Sequence, residues 1–258
     1  MNDIKLIACD IDGTLLQPGQ TAIAPAVFTQ VLRLREKGII FCPASGRQYD
    51  SLRRLFAPVA DSVSYICENG AVIFGAGDPG PVLSKTVIRH DRAMALCHQI
   101  LAHPDCEVLI SGENTSYLIP HQLEYVRHIR EDVGNNVAVV DAPEDVPEDI
   151  IKISMYCPGG VGDHLQTLKN DWSGELSVAL GGKLWIDLTL ADKGTGIREL
   201  CQVMNIPLAH VMAIGDNYND LPILSIVGHP VIMENAASEL KAQFAEKCLR
   251  VEDTLALL

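Results

Sequence analysis

Positive charge is scarce in this chain. Its 20 Lys and Arg face 33 Asp and Glu, a formal net charge of −13 over 258 residues. That balance argues against duplex DNA, RNA or an anionic lipid surface as a partner, because nothing neutralises phosphates in bulk. A small phosphate ester stays open wherever local Lys, Arg or metal charge overrides the global field. No apolar run approaches 18 residues, and no basic segment followed by an apolar stretch opens the chain, so neither a membrane span nor a signal peptide is expected. The eight cysteines, at 9, 42, 67, 97, 106, 157, 201 and 248, include no Cys-x-x-Cys. Their spacing suggests no zinc site. Cys9, Cys42 and Cys67 lie inside apolar runs and read as reduced small hydrophobes, which predicts a cytoplasmic protein. The eight histidines contain no His-Glu-x-x-His. Pro158-Gly159-Gly160-Val161-Gly162 lacks the Lys-Ser/Thr ending of a phosphate loop and reads as a turn before a helix. No internal repeat or low-complexity segment is apparent.

What is present is an ordinary globular composition, 48% hydrophobic and 21% charged, ample for one large core or two smaller ones. The chain opens on Ile4-Lys5-Leu6-Ile7-Ala8-Cys9, a strand buried on both faces as in a parallel sheet. Asp10-Ile11-Asp12-Gly13-Thr14 follows at once, with Gly13 supplying the turn. Two carboxylates held ~4 Å apart at a dry strand end repel by roughly 4 kcal/mol at an effective dielectric near 20. A divalent cation with oxygen ligands would relieve that repulsion. A solvated Asp-x-Asp-Gly turn is the plainer alternative at this point.

Further on, Pro25 opens a helix over 24–37 that Gly38 closes. Ile39 to Ala44 is a second buried strand, ending in Ser45-Gly46-Arg47. After a helix near 49–56, the strand Val63 to Cys67 ends in Glu68-Asn69-Gly70. Every polar cluster so far falls at a strand's carboxyl end, where open parallel sheets bind ligands. From about Ala71 the rhythm changes to a hairpin around 75–80, helices over 91–101, 121–132 and 162–172, and strands near 106–110, 116–119, 137–140 and 151–156. A second hairpin turns at Gly181-Gly182. This third of the chain predicts a separate α+β unit with an antiparallel sheet. The first rhythm returns with a helix from Lys193 to about Met204. The strand 210–214 then ends in Gly215-Asp216-Asn217-Tyr218-Asn219-Asp220, Val231 to Met233 is a strand, and a helix covers about 238–246. The fold expected is α/β, a doubly wound Rossmann-like core of residues 1–83 and 188–258 interrupted by an inserted α+β cap of 84–187.

Lys193 stands in the first turn of its helix, where a cation opposes the macrodipole by about 0.3–1 kcal/mol; an anionic site would explain it. Ser45 and Asp220, taken alone, read equally as helix caps. Together and in this order these residues resemble the four motifs of haloacid dehalogenase-superfamily phosphatases: Asp10-Ile11-Asp12-Gly13-Thr14, Ser45-Gly46-Arg47, Lys193-Gly194, and Gly215-Asp216 with Asn219-Asp220. Pro43-Ala44-Ser45-Gly46-Arg47, Glu68-Asn69-Gly70-Ala71 and Met233-Glu234-Asn235-Ala236 resemble its Cof-type branch, which inserts a large cap between the second and third motifs. That branch usually has glycine where Glu234 stands.

The resemblance implies Mg²⁺-dependent hydrolysis of small phosphomonoesters, sugar phosphates foremost. Asp10 would be the nucleophile forming an aspartyl-phosphate, and Asp12 the general acid and base. Asp10, the Asp12 carbonyl, Asp216 and, directly or through water, Asp220 would hold the metal. Ser45, Gly46, Arg47, Lys193 and Asn219 would bind substrate phosphate. A sugar phosphomutase and a non-catalytic phosphate-binding module are the competing readings. The expected partner is a small phosphate ester, with oligomeric state open.

Overall fold

Leu6–Cys9 is buried along its whole length between Val211–Gly215 on one side and Ile40–Pro43 on the other, parallel to both. The computed structural model, which describes residues 3–258, extends this sheet to five strands in the order Lys247–Cys248, His229–Met233, Val211–Gly215, Leu6–Cys9, Ile40–Pro43. Every neighbouring pair is parallel. Apolar residues fill the central strands without alternation because both faces are covered. The helix Pro25–Glu36 turns Val27, Val31 and Leu34 inward, and its proline stands in the first turn. Gly38, at φ +76°, takes the left-handed position beyond the helix end and donates its N–H to the Arg35 carbonyl at 2.9 Å.

Chain contacts divide the molecule into two units, one of residues up to Ser45, Leu52–Ser84 and Asp192–Leu258, the other of Gly46–Ser51 and Lys85–Ala191. The first is the α/β body with the parallel sheet. Tyr65–Cys67 touches that sheet through a single parallel bridge, Ala44 to Ile66, and then turns back antiparallel against Val72–Phe74. It therefore belongs to a small three-stranded sheet with Val72–Phe74 and Val82–Lys85 rather than continuing the parallel one.

The second unit is built on a six-stranded sheet in the order Ser177–Leu180, Trp185–Thr189, Lys152–Tyr156, Glu107–Ser111, Ser116–Leu118, Val137–Val139. All neighbours are antiparallel except the last pair. Val108, Ile110, Ile153, Met155, Ile186 and Leu188 point to one face, where the helices His90–Leu101 and His164–Trp172 supply Leu96, Ile100, Leu168 and Trp172. The residues between them point to the other face, as a period of two requires.

The C-terminal end departs from the expected pattern. The helix expected over 238–246 stops at Lys241, because the chain must return to pair Lys247–Cys248 with His229–Met233. A final helix, Val251–Ala256, buries Val251 and Leu255. The helix expected over 121–132 is α-helical only for Leu123–Arg127 and continues as a π-helical turn, His128–Asp132. Among the described residues no helix is long and apolar enough to cross a membrane.

Candidate active site

Three strand ends and one helix start meet in the first unit. Asp10 follows Leu6–Cys9 directly and donates its N–H to the Ile214 carbonyl at 2.9 Å. Asp216 follows the neighbouring strand Val211–Gly215, and Ser45 lies just past Ile40–Pro43 on the other side, where the Ala44 N–H reaches the Cys9 carbonyl at 2.8 Å. Lys193 opens the helix Lys193–Met204, whose N-cap Asp192 accepts the Thr195 N–H at 2.7 Å. The Lys193 side chain is 0% exposed and donates to Asp10 Oδ1 at 2.5 Å and to Asp220 Oδ1 at 2.6 Å. Asp220 spends its other oxygen on the loop that carries Asp216, accepting the Asp216 N–H at 3.0 Å and the Asn217 N–H at 3.1 Å.

Glycines set these distances. Gly13 has φ +94°, and a Cβ there would lie 2.2 Å from Asp216 Oδ2. Only glycine lets the first loop approach the Asp216 carboxylate so closely, and Thr14 Oγ1 then donates to Asp216 Oδ1 at 3.2 Å. Gly70, at φ +98°, does the same for Lys193: its Cβ would lie 2.2 Å from the Asp192 carbonyl oxygen. A Cβ on Gly194 would lie 2.7 Å from the Pro222 carbonyl oxygen, and one on Gly196 would lie 2.7 Å from Ile66 Cγ2. The helix start is thus wedged between two backbones, which presses the ammonium into the acid cluster.

Ligand oxygens of Asp10, Asp216 and Asp220 all lie within 4.8 Å of one another. One ammonium among three carboxylates leaves the cluster net negative, and the electrostatics reflect it. Burial, with the charges of Asp220 and Asp216 adding to it, raises the Asp10 carboxyl from 3.8 to about 7 against the pull of Lys193. Burial and Asp220 push Asp216 up as well. Burial alone would lower the Lys193 ammonium, but Asp10 and Asp220 outweigh it and the net direction is up, so the lysine stays charged. A cluster of hard oxygen donors short of positive charge suits a divalent cation such as Mg²⁺. Because both Asp220 oxygens are already engaged, Asp10 and Asp216 are the side chains best able to turn to such an ion.

The other residues singled out in the sequence fall as follows. Asp12 is exposed, in a turn whose parallel bridge to Leu16 closes the first loop. Ser45 is 2% exposed, its N–H donating to the Ile66 carbonyl and its carbonyl accepting the Asn69 N–H, both at 2.9 Å. Glu68, Asn69 and Gly70 all have positive φ, of 50°, 57° and 98°. Left-handed conformations at consecutive non-glycine residues are costly and collect at functional sites. Asn219 is exposed within the 3₁₀ turn Tyr218–Asp220. Gly46 and Arg47 belong to the second unit, where the Gly46 carbonyl accepts Lys152 Nζ at 3.0 Å and Arg47 is half-buried.

Sequence reasoning assigned nothing to Thr14, Gln17 or Asn235. Asn235 Nδ2 donates to the Gly13 carbonyl at 2.8 Å, and Gln17 Nε2 reaches the same oxygen at 2.9 Å. Both pin the loop that presents Asp12; the signal for Asn235 was its place in Met233-Glu234-Asn235-Ala236. The departing Glu234 turns to Lys241, with Oε2 3.5 Å from Nζ. The second unit holds a buried polar row as well: Ser154 Oγ donates to Asp187 Oδ1 at 2.6 Å, and Gln48 Nε2 to Ser116 Oγ at 3.1 Å. Ser116, Ser154 and Asp187 lie on the sheet face opposite the helices His90–Leu101 and His164–Trp172, a face that Tyr125 and Ile129 cover in part.

A profile of haloacid dehalogenase-like hydrolases matches residues 7–253. The chain belongs to that family. Within it the chain is a Cof-type phosphatase. An Escherichia coli protein, 5-amino-6-(5-phospho-D-ribitylamino)uracil phosphatase YbjI, is 26% identical over 93% of this chain and 88% of its own. Pyridoxal phosphate phosphatase YbhA, also from Escherichia coli, is 24% identical over 93% of this chain and 91% of its own. A crystal structure from Eubacterium rectale superposes with a TM-score of 0.87 at 28% identity, covering 99% of both chains. The phosphatase thus shares its fold over its whole length with solved members of the family.

Proposed function

We propose that this phosphatase hydrolyses small phosphomonoesters, sugar phosphates foremost, through an aspartyl-phosphate formed on Asp10 in the presence of Mg²⁺. The observation that carries the proposal is the buried lysine between two carboxylates at a strand end, with a third carboxylate across a glycine turn. Asp10 Oδ1 is held by Lys193, which leaves Oδ2 to attack phosphorus in line with the departing oxygen. Lys193, already fixed, meets the incoming phosphoryl charge without having to reorganise. Asp12 gives its proton to the leaving alkoxide and then takes one from the hydrolytic water; its exposure suits an acid that meets both in turn. Asp10 and Asp216, with the Asp12 main-chain carbonyl, would hold Mg²⁺, which supplies charge stabilisation for the phosphoryl oxygens when bound. Asp220 positions both Lys193 and the Asp216 loop. Ser45, Gly46, Arg47 and Asn219 would bind the phosphate, as the family's motifs imply.

Relatives named for a ribityl phosphate and for pyridoxal phosphate support a small monoester whose organic part varies. A panel of metabolite phosphates, scored by kcat/KM with Mg²⁺ and with EDTA, tests the reading. Turnover that ignores chelation, or survives Asp10→Asn undiminished, refutes it.

A further inference from the structure

The second unit gathers another set of donors, remote in chemistry from the acids above. Glu107 pairs with Tyr156 across antiparallel strands, so one residue beyond the pair Cys106 faces Cys157. Neither N–H is spent on the other residue, since Cys106 donates to the His103 carbonyl at 3.1 Å and Cys157 to the Leu184 carbonyl at 2.8 Å. In a non-hydrogen-bonded pair facing side chains come closest, and the two Sγ atoms lie 2.8 Å apart. The Cys106 N–H closes the turn His103-Pro104-Asp105-Cys106, whose proline occupies the position that its fixed φ favours. That turn carries His103 and Asp105 to the same end of the sheet. His164 arrives as the first residue of His164–Trp172. Its ring meets that of His103 edge to face at 4.8 Å, and its Nε2 is 3.7 Å from Asp105 Oδ2. Ligand atoms of Cys106, Cys157 and His164 all lie within 4.8 Å of one another, as do those of His103, Asp105 and His164.

We propose that these residues form a structural site for one soft divalent transition metal, zinc by its donor chemistry. Cys106, Cys157 and His164 ligate it, and His103 or Asp105 completes a tetrahedron. Buried cysteines alone are ordinary small hydrophobes, but that account leaves His164 beside the paired thiols, and His103 and Asp105 gathered on His164, without a reason. Two thiols with an imidazole select zinc over the hard cations that oxygen clusters take. Binding expels one proton from each thiol. Metal–sulfur bonds of about 2.3 Å hold two sulfurs roughly 3.8 Å apart at the tetrahedral angle, an opening that a χ1 rotation at either cysteine supplies. The ion would tie the turn, the end of Lys152–Tyr156 and the start of His164–Trp172 together at the rim of the cluster that contains Leu168 and Trp172. Linear spacing conceals such a site because strand register, rather than a short motif, brings Cys106 to Cys157.

The test is a Co²⁺ titration of the full chain, reduced and stripped of metal, with excess Mg²⁺ occupying the acid cluster. The expected result is a thiolate-to-cobalt charge-transfer band with tetrahedral d–d bands, saturating at one equivalent and abolished by Zn²⁺. Cys106→Ser should cut the charge-transfer intensity per cobalt to about half, one thiolate being left. His164→Ala leaves both thiols and the strand register in place, and should weaken cobalt binding by more than about tenfold while Mg²⁺-dependent turnover is unchanged. Absence of the charge-transfer band from the reduced wild-type protein would overturn the proposal. So would equal cobalt affinity in the wild type and a folded His164→Ala.

Discussion

Replacing Asp10 by asparagine should make the metal-free phosphatase more stable above neutral pH while ending its turnover. The Asp10 carboxyl is raised from 3.8 to about 7, chiefly by burial. The folded protein therefore keeps this proton between about pH 4 and pH 7, where the unfolded chain has released it. Stability from the group is complete below the lower value and is lost as pH rises through the upper one. At 1.36 kcal/mol per pKa unit the loss is about 4 kcal/mol, and the attraction of Lys193 is already contained in it. Asparagine has no proton to lose and escapes the penalty. Its advantage over the wild type should grow from nothing near pH 4 to its full size above about pH 7, a rise in melting temperature on the order of 10 °C.

Thermal melts of both proteins in EDTA, at several pH values across that window, provide the assay. Repeating them with Mg²⁺ adds an internal control. A cation neutralises the wild-type cluster and stabilises the folded state by mass action, so the difference between the two proteins should shrink. An Asp10→Asn variant that melts below the wild type in EDTA at alkaline pH would refute the reasoning. A gap that stays constant across the window would do the same.

Asp216→Asn removes charge from the cluster while keeping its shape, and should raise the Mg²⁺ concentration for half-maximal rate by more than about tenfold; a metal titration of the initial rate checks it. Asp12→Asn should lower kcat by about 10²–10⁴ with almost no change in melting temperature, because the residue is exposed. Gly70→Ala forces a Cβ to 2.2 Å from the Asp192 carbonyl at φ +98°. It should cost about 2–4 kcal/mol and lower kcat by moving Lys193, read by denaturant unfolding alongside steady-state rates. Asp192→Ala removes the N-cap bond to Thr195 and should cost about 1 kcal/mol in the same unfolding experiment.

The parallel core was legible because its strands, Leu6–Cys9 and Val211–Gly215 among them, are apolar without alternation and each ends in a polar cluster. Motifs far apart in sequence could be placed at one end of one sheet from that regularity alone. Tyr65–Cys67 was harder to place. Its run of buried residues fits a parallel or an antiparallel neighbour equally, and only the left-handed turn at Glu68-Asn69-Gly70 sends the chain back on itself. The strand Lys247–Cys248 was too short to carry a pattern. Local signals also missed the hydrogen bond from Asn235 to Gly13, which links residues 222 positions apart. The buried row Lys152, Ser154, Asp187 comes together only once antiparallel register sets Asp187 opposite Ser154 and Thr189 opposite Lys152.

The same distinction explains how the acid cluster is assembled. Asp220 grips Lys193 with one oxygen and the Asp216 loop with the other, so the Lys193 ammonium and the Asp216 carboxylate share a single support. Lys193 in turn holds Asp10, whose strand is flanked by the strands leading to Asp216 and Ser45. Lys193 is the one cation in this set, and removing it would leave Asp10 and Asp220 buried without a counter-charge, a change that costs several kcal/mol in a dry interior. The close approaches at Gly13, Gly70 and Gly194 make this mutual support possible, since any side chain there would open gaps between groups whose spacing decides their charge. The short glycine-bearing motifs therefore mark where backbones must touch, and the charged residues beside them depend on that contact.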